Sequence, residues 1–262
     1  MADALFHRDG DHFVPTELAR SPWTAQALHG GPPAALIARA LEGMDGEAWL
    51  VVRLTIDIMG PIPVVPLRLE TRLDRAGRRV QLVEAKVADP EGRTLMRAFA
   101  WRVRRSGPMA LPPPVDLPPP MPALPETLPS DEMRFRDYTH FADDAVEHRV
   151  IAGHLLQAGR AAVWFRLRVP VVPGEPATPL QTLMAVVDSA NGISWMLPWD
   201  EYLFPNTDIG VYLAREPRGE WIAMDAVSYL DPCGRGISDT ALFDTTGFVG
   251  RANQALFLGS QP

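Results

Sequence analysis

Residues 34–41, AALIARAL, followed by residues 52–58, VRLTIDI, decide how this chain is read. The first stretch is almost wholly apolar and runs out at Gly43, which predicts a short buried helix stopped by a glycine C-cap. In the second, Val52, Leu54, Ile56 and Ile58 alternate with Arg53, Thr55 and Asp57, the period of a strand with one buried face. That period returns in residues 67–73, in residues 80–87 and at Phe99, Trp101 and Val103. The first half thus reads as one apolar helix laid against a long antiparallel sheet.

The plan recurs downstream. A leading strand carries Val163, Phe165, Leu167 and Val169, a helix starts near Pro179, and strands follow near residues 208–213, 220–229, 236–243 and 248–258. Asp89-Pro-Glu-Gly92 and Asp244-Thr-Thr-Gly247 are both D-x-x-G turns ahead of a final strand, and they set the register of a diverged duplication. Between the copies, ten of the 27 prolines crowd into residues 107–129, where they remove backbone donors and favour extended chain. The expected organisation is an N-terminal unit over residues 1–106, a proline-rich linker over 107–129 without regular secondary structure, and a C-terminal unit over 130–262.

Composition narrows the function. A formal charge of -7 leaves no general basic field for nucleic acid or an anionic membrane. The single cysteine, Cys233, can form neither an internal disulfide nor a thiolate cluster, and the cytoplasm is the expected compartment. No run of about 18 apolar residues occurs, and residues 1–13 carry three Asp and no apolar leader core, so neither membrane spanning nor export is expected.

A sheet wrapped on one very apolar helix points to the hotdog fold, and two such units to an α+β double hotdog. Trp23 and His29-Gly30-Gly31 ahead of the first helix, Asp188 in the second, Asn206-Thr207-Asp208 at the start of a strand, and Gln254 in the last strand resemble the acyl-CoA thioesterase II family over nearly the whole chain. That resemblance implies hydrolysis of acyl-CoA to a free acid and coenzyme A, in fatty acid metabolism, with no metal and no other cofactor. It also implies a catalytic set of Asp188, Thr207 and Gln254 placing a water on the thioester carbonyl. The family commonly has Thr where this chain has Asn206, so either Asn206 or Thr207 can bind the water.

The residues themselves allow blander readings. Asp188 follows the stripe Leu180, Leu183, Met184, Val187, where a carboxylate is either functional or a cap for a helical segment starting at Ser189. Gln254 shares a strand face with Ala252 and Leu256, so its amide is a satisfied core group or a holder of water; it is no general base. His29, Gly30 and Gly31 form an ordinary turn into a helix, or else bind substrate by offering backbone amides to a developing oxyanion. The first half has Ala38 where a single-hotdog thioesterase carries its helix acid and Phe99 where the second half has Gln254. The second half lacks an HGG. One site per chain, shared between the halves, is expected.

Other candidates rank lower. His7, Asp9, Asp11 and His12 read as a solvated segment, not a metal site. Cys233 lies in a turn with no His partner in the pattern. Asp143 and His148 have the spacing of a hotdog enoyl-CoA hydratase, a rival activity, in a run that reads as surface. Trp195, Trp199, Tyr202 and Phe204 form a packing cluster or the wall of an acyl pocket. A double hotdog that binds acyl-CoA or another lipid without chemistry is the rival of another class. Edge-to-edge sheet pairing makes a homodimer the expected assembly.

Overall fold

A computed structural model describes residues 3–44, 46–112, 118–130 and 134–261. Strands β1 (Phe6–Asp9), β2 (His12–Pro15), β3 (Trp49–Ile58), β4 (Leu67–Arg75), β5 (Val80–Ala88) and β6 (Thr94–Arg104) lie in the first half. Strands β7 (Val146–Ala152), β8 (Ala161–Leu167), β9 (Asp208–Leu213), β10 (Ile222–Asp231), β11 (Arg235–Asp244) and β12 (Gly247–Phe257) lie in the second. All twelve join in one antiparallel sheet of order β1-β2-β4-β5-β6-β3-β9-β12-β11-β10-β8-β7. Read outward from the central β3–β9 pair, the two halves repeat one order, with β6, β5 and β4 answered by β12, β11 and β10. At that centre Ile56 stands opposite Ile209, and both are fully buried. On its core-facing side, with Leu54 opposite Val211 as well, the joint is an apolar contact in which each buried side chain contributes about 1.5–3 kcal/mol.

Helix α1 (Gly31–Gly43) packs on β4 and β5, and α2 (Pro179–Val187) on β10 and β8, while the two helices pack on each other. Leu36, Ile37 and Leu41 of α1 and Leu183, Met184 and Val187 of α2 belong to one continuous core. Thr178 caps α2 by accepting a bond from the Gln181 amide, and its hydroxyl donates to Glu42 at 2.8 Å, tying the end of α1 to the start of α2. The D-x-x-G turns both hold a left-handed glycine, Gly92 at φ 84° and Gly247 at φ 126°, which explains the residue type at their last position.

Several expectations change. Gly43 is the last helical residue of α1 and is followed by Met44 in extended conformation (φ −83°), so the expected left-handed glycine cap is absent there. The segment around His7 and His12 is solvent-exposed as expected, but it is a strand hairpin, not an irregular run. Leu5 and Phe6 are fully buried and donate backbone bonds to Pro170 and Val171, because two apolar anchors outweigh the charges around them. His7 and His12 stand beside Asp3 and Asp11 on its surface. The run around Asp143 is no surface segment either: Phe141–Ala145 forms one π-helical turn, and His140 and Phe141 are wholly buried. Within the proline-rich stretch, residues 113–117 lie outside the described residues. The described remainder shows one 3-10 turn, Pro125–Thr127, and the Trp164 indole donates to the Ala123 carbonyl at 2.7 Å.

Candidate active site

The helix pair α1–α2 brings the two halves together at one point. Gly31 makes the approach possible, since a Cβ there would sit 1.8 Å from the Ala185 carbonyl oxygen. Its amide donates to Nδ1 of His29 at 3.1 Å. Asp188 ends α2 in helical conformation (φ −62°, ψ −21°), ahead of the four-residue helix α3 (Ala190–Ile193). Its carboxylate caps nothing. Oδ2 lies 3.1 Å from His29 Nδ1, and Oδ1 accepts from Asn206 Nδ2 at 2.8 Å. The backbone of Gly30 is so close that a Cβ on it would meet Asp188 Oδ2 at 2.8 Å. The Gly30 N–H has no protein acceptor among the described residues.

The Gly31 N–H donates to His29 Nδ1, so the neutral ring carries its proton on Nε2, and Asp188 Oδ2 stands beside the ring as a charge without a hydrogen bond to it. Burial holds the His29 imidazole below its ordinary range; Asp188 works against that shift and His140 adds to it. At neutral pH the ring is uncharged.

Gln254 is 1% exposed. Its Oε1 accepts from the Asn191 backbone amide at 3.1 Å, and its Nε2 donates to the Asp188 carbonyl at 3.2 Å. It therefore clamps the α2–α3 break from behind. Thr207 is not brought to the carboxylate: it is exposed, and its hydroxyl donates to the Ala255 carbonyl at 3.4 Å. Asn206 bridges to Leu256, and the alternation of side chains at the strand start turns Asn206 inward and Thr207 outward.

Two family models cover most of the chain: the acyl-CoA thioesterase N-terminal domain matches residues 19–103 and the acyl-CoA thioesterase C-terminal domain residues 114–258. This chain belongs to the acyl-CoA thioesterase family. Its activity class is thioester hydrolysis, and its fold is the α+β double hotdog. Among solved structures, a Thermobifida fusca protein assigned provisionally to thioesterase II aligns at 18% identity and TM-score 0.74, over 98% of this chain and 96% of that one. A conserved protein with a hotdog fold from Alicyclobacillus acidocaldarius gives 18% identity and TM-score 0.71, over 99% and 98%. An acyl-CoA thioesterase II, TesB2, from Mycobacterium marinum gives 16% and 0.61, over 90% and 92%. No curated protein matches the sequence.

The His29–Asp188 contact opens onto a cavity of about 1110 Å³, with His29, Gly30, Asp188, Ser189 and Asn206 on its wall. Trp23, Phe135, Leu155, Trp195 and Trp199 supply much of the apolar lining. Trp23 and Trp199 stack with ring centroids 4.3 Å apart, and Phe204 is buried against both. Tyr202 pairs with Ser260 in a two-residue ladder instead. The pairing needed for a hydratase is not formed: Asp143 Oδ2 contacts His140 Nε2 at 2.8 Å, whereas the His148 ring packs edge-on against Phe165. Sequence reasoning missed Ser189, whose hydroxyl lies 3.4 Å from His29 Nε2. The available signal was its place beside Asp188, where the apolar stripe of α2 stops. Among the described residues, no helix is long and apolar enough to cross a membrane.

Proposed function

We propose that this thioesterase hydrolyses acyl-CoA by attack of water in the cavity between its halves, at one site per chain. The observation that carries the reading is the contact of His29, before α1, with Asp188, at the end of α2, on the wall of a large apolar cavity. Asp188 supplies the charge that draws a proton from water, and Asn206 fixes its Oδ1. Gln254 is a positioning residue acting through Asp188 and Asn191. Asn206 takes the water-side place in preference to Thr207. The free Gly30 amide receives the carbonyl oxygen as it gains charge, while Gly31 serves the helix contact. General-base help is worth roughly 10²- to 10⁴-fold and one oxyanion donor roughly 10²- to 10³-fold, enough for a thioester, whose leaving group is good.

The acyl group takes the wall of Trp23, Trp195 and Trp199, and neither a metal nor another cofactor takes part. The boundaries that fit this division are 1–106 and 130–262 with 107–129 as linker, and the placement is a cytoplasmic role in fatty acid metabolism. The end strands of the sheet, β1 and β7, offer edges for a homodimer. Thiol release across a series of acyl-CoA chain lengths, with Asp188→Asn alongside, tests the reading. Turnover that depends on chain length and on Asp188 supports it, and turnover indifferent to Asp188 overturns it.

A further inference from the structure

The chain carries a formal charge of -7, yet positive charge collects on the cavity wall. Among the described residues of that wall, Arg134 and Arg136 are the only arginines or lysines and Asp188 is the only carboxylate. The Arg134 side chain is 53% exposed, which puts it at the cavity mouth. The segment carrying both is fastened to the loop before His29. Arg136 Nε donates to the Pro22 carbonyl at 2.7 Å, the Tyr138 hydroxyl to the Ser21 carbonyl at 2.9 Å, and the Phe141 amide to the Arg20 carbonyl at 3.0 Å. The nearby acids are already engaged. Asp143 accepts from the Phe135 amide at 2.7 Å and contacts His140 at 2.8 Å, and Asp144 pairs with Arg134 at 3.1 Å. Arg136 and Arg20 have no carboxylate partner among the described residues, and Arg20 Nε is buried without an acceptor. Burial raises the Tyr138 phenol, and Arg136 and Arg20 both work against that rise, so the two guanidiniums stand within electrostatic reach of one hydroxyl.

We propose that Arg134 and Arg136, with the charge of Arg20 added to theirs, form a phosphate-binding site at the cavity mouth that holds the nucleotide end of coenzyme A. The proposal rests on the reading of acyl-CoA as the substrate and adds which residues recognise the carrier. Three guanidiniums with one paired carboxylate among them leave a net positive charge, and an anion relieves it. A planar guanidinium fork matches two phosphate oxygens at once. Of the five N–H groups on Arg136, two are spent on the carbonyls of Pro22 and Phe135. The thioester end of acyl-CoA is uncharged, whereas its far end carries a diphosphate and a 3′-phosphate. An apolar interior for the acyl chain and a cationic, water-exposed rim for the phosphates suit the two ends of one molecule. The three bonds to residues 20–22 hold the cationic segment in place before a ligand arrives, which lowers the ordering cost of binding.

The test titrates the full chain by calorimetry with coenzyme A, 3′-dephospho-coenzyme A and pantetheine, for the unaltered protein, Arg136→Gln and Arg136→Lys, with melting temperatures alongside. The unaltered chain should bind coenzyme A roughly tenfold or more tightly than pantetheine, and Arg136→Gln should shrink that ratio by roughly tenfold. A merely structural role would weaken both ligands and keep the ratio. Arg136→Lys, which keeps a point charge and loses the fork, should retain more of the preference. Binding of 3′-dephospho-coenzyme A like coenzyme A assigns the diphosphate to the cluster; binding like pantetheine assigns the 3′-phosphate. Raised ionic strength should weaken coenzyme A and spare pantetheine, a reading that needs no substitution. Where Arg136→Gln fails to fold, Arg136→Lys and the salt series decide. Thiol release from acyl-CoA tests hydrolysis separately: a chain that binds coenzyme A through Arg136 and releases no thiol keeps this site and loses the hydrolytic reading. Equal affinity of the unaltered chain for coenzyme A and pantetheine, or an unchanged ratio in folded Arg136→Gln, would overturn the proposal.

Discussion

The imidazole of His29 and the carboxylate of Asp188 meet at 3.1 Å with side chains 9% and 8% exposed, although they come from opposite halves of the chain. Neither half contains both groups, so the site as proposed needs the whole chain. A pair so enclosed is sensitive to small displacements of the helices that carry it.

Gly31→Ala should therefore be the more damaging of the two glycine substitutions. Its Cβ would meet a backbone oxygen at 1.8 Å, and α1 and α2 must separate to admit it. A loss of about 1–3 kcal/mol is expected, read as a lower melting temperature. In Gly30→Ala the Cβ meets a side chain, Asp188 Oδ2 at 2.8 Å, so activity should fall further than stability. The reverse ranking in a thermal melt would refute the helix-contact role of Gly31.

Asn206→Ala and Thr207→Ala separate the two residues that could stand beside the water. Asn206 bonds Asp188 Oδ1 at 2.8 Å, and its loss should lower turnover by roughly tenfold or more. Thr207→Ala should stay within about twofold, its hydroxyl being spent on a backbone carbonyl at 3.4 Å. Steady-state kinetics of the two variants decide between them.

How much of this was legible in the sequence varies with the kind of residue. Helix α1 and strands β3, β5 and β6 follow from periodicity, because each buries apolar residues along one face; β4 keeps the alternation but buries only Leu67 and leaves Leu73 exposed. The hairpin β1–β2 did not, since FHRD and HFVP are short and the anchors Leu5 and Phe6 bury against residues far along the chain. Strand β7 was hidden for the same reason: Glu147 is 7% exposed because Arg149 and Arg166 neutralise it, which no local pattern reveals. Asp188 and Gln254 stood out as polar residues in apolar stripes. Ser189 and the choice between Asn206 and Thr207 depend on which way one side chain turns, and that is fixed by strand register.

Gln254→Ala should cost both stability and activity. It strips a partner from the buried Asn191 amide and from the Asp188 carbonyl, a penalty of about 1–3 kcal/mol, or about 2–4 °C of melting temperature for each kcal/mol in a chain of this size. Calorimetry showing an unchanged melting temperature would contradict the clamp role.

The turn at Asp244 makes stability depend on acid. Burial pushes this carboxyl up, but the Arg215 guanidinium at 2.7 Å, the Thr246 hydroxyl and backbone amides together hold it below the usual carboxylate range. A group depressed in the folded state contributes stability above its unfolded pKa and loses it as pH falls through the folded value. Asp244→Asn should melt lower than the unaltered chain at pH 7, with the gap closing as pH drops below the carboxylate range. A gap that stays constant down to acid pH would show the ion pair to be unimportant.

The central claim, a single water-attack centre powered by Asp188, is tested most directly by thiol release from Asp188→Asn. The replacement is isosteric, and the amide can still face Asn206 and His29, so the melting temperature should hold within a few degrees. Turnover of acyl-CoA should fall by roughly 10²-fold or more. A folded Asp188→Asn enzyme that hydrolyses acyl-CoA at the rate of the unaltered chain would contradict the account.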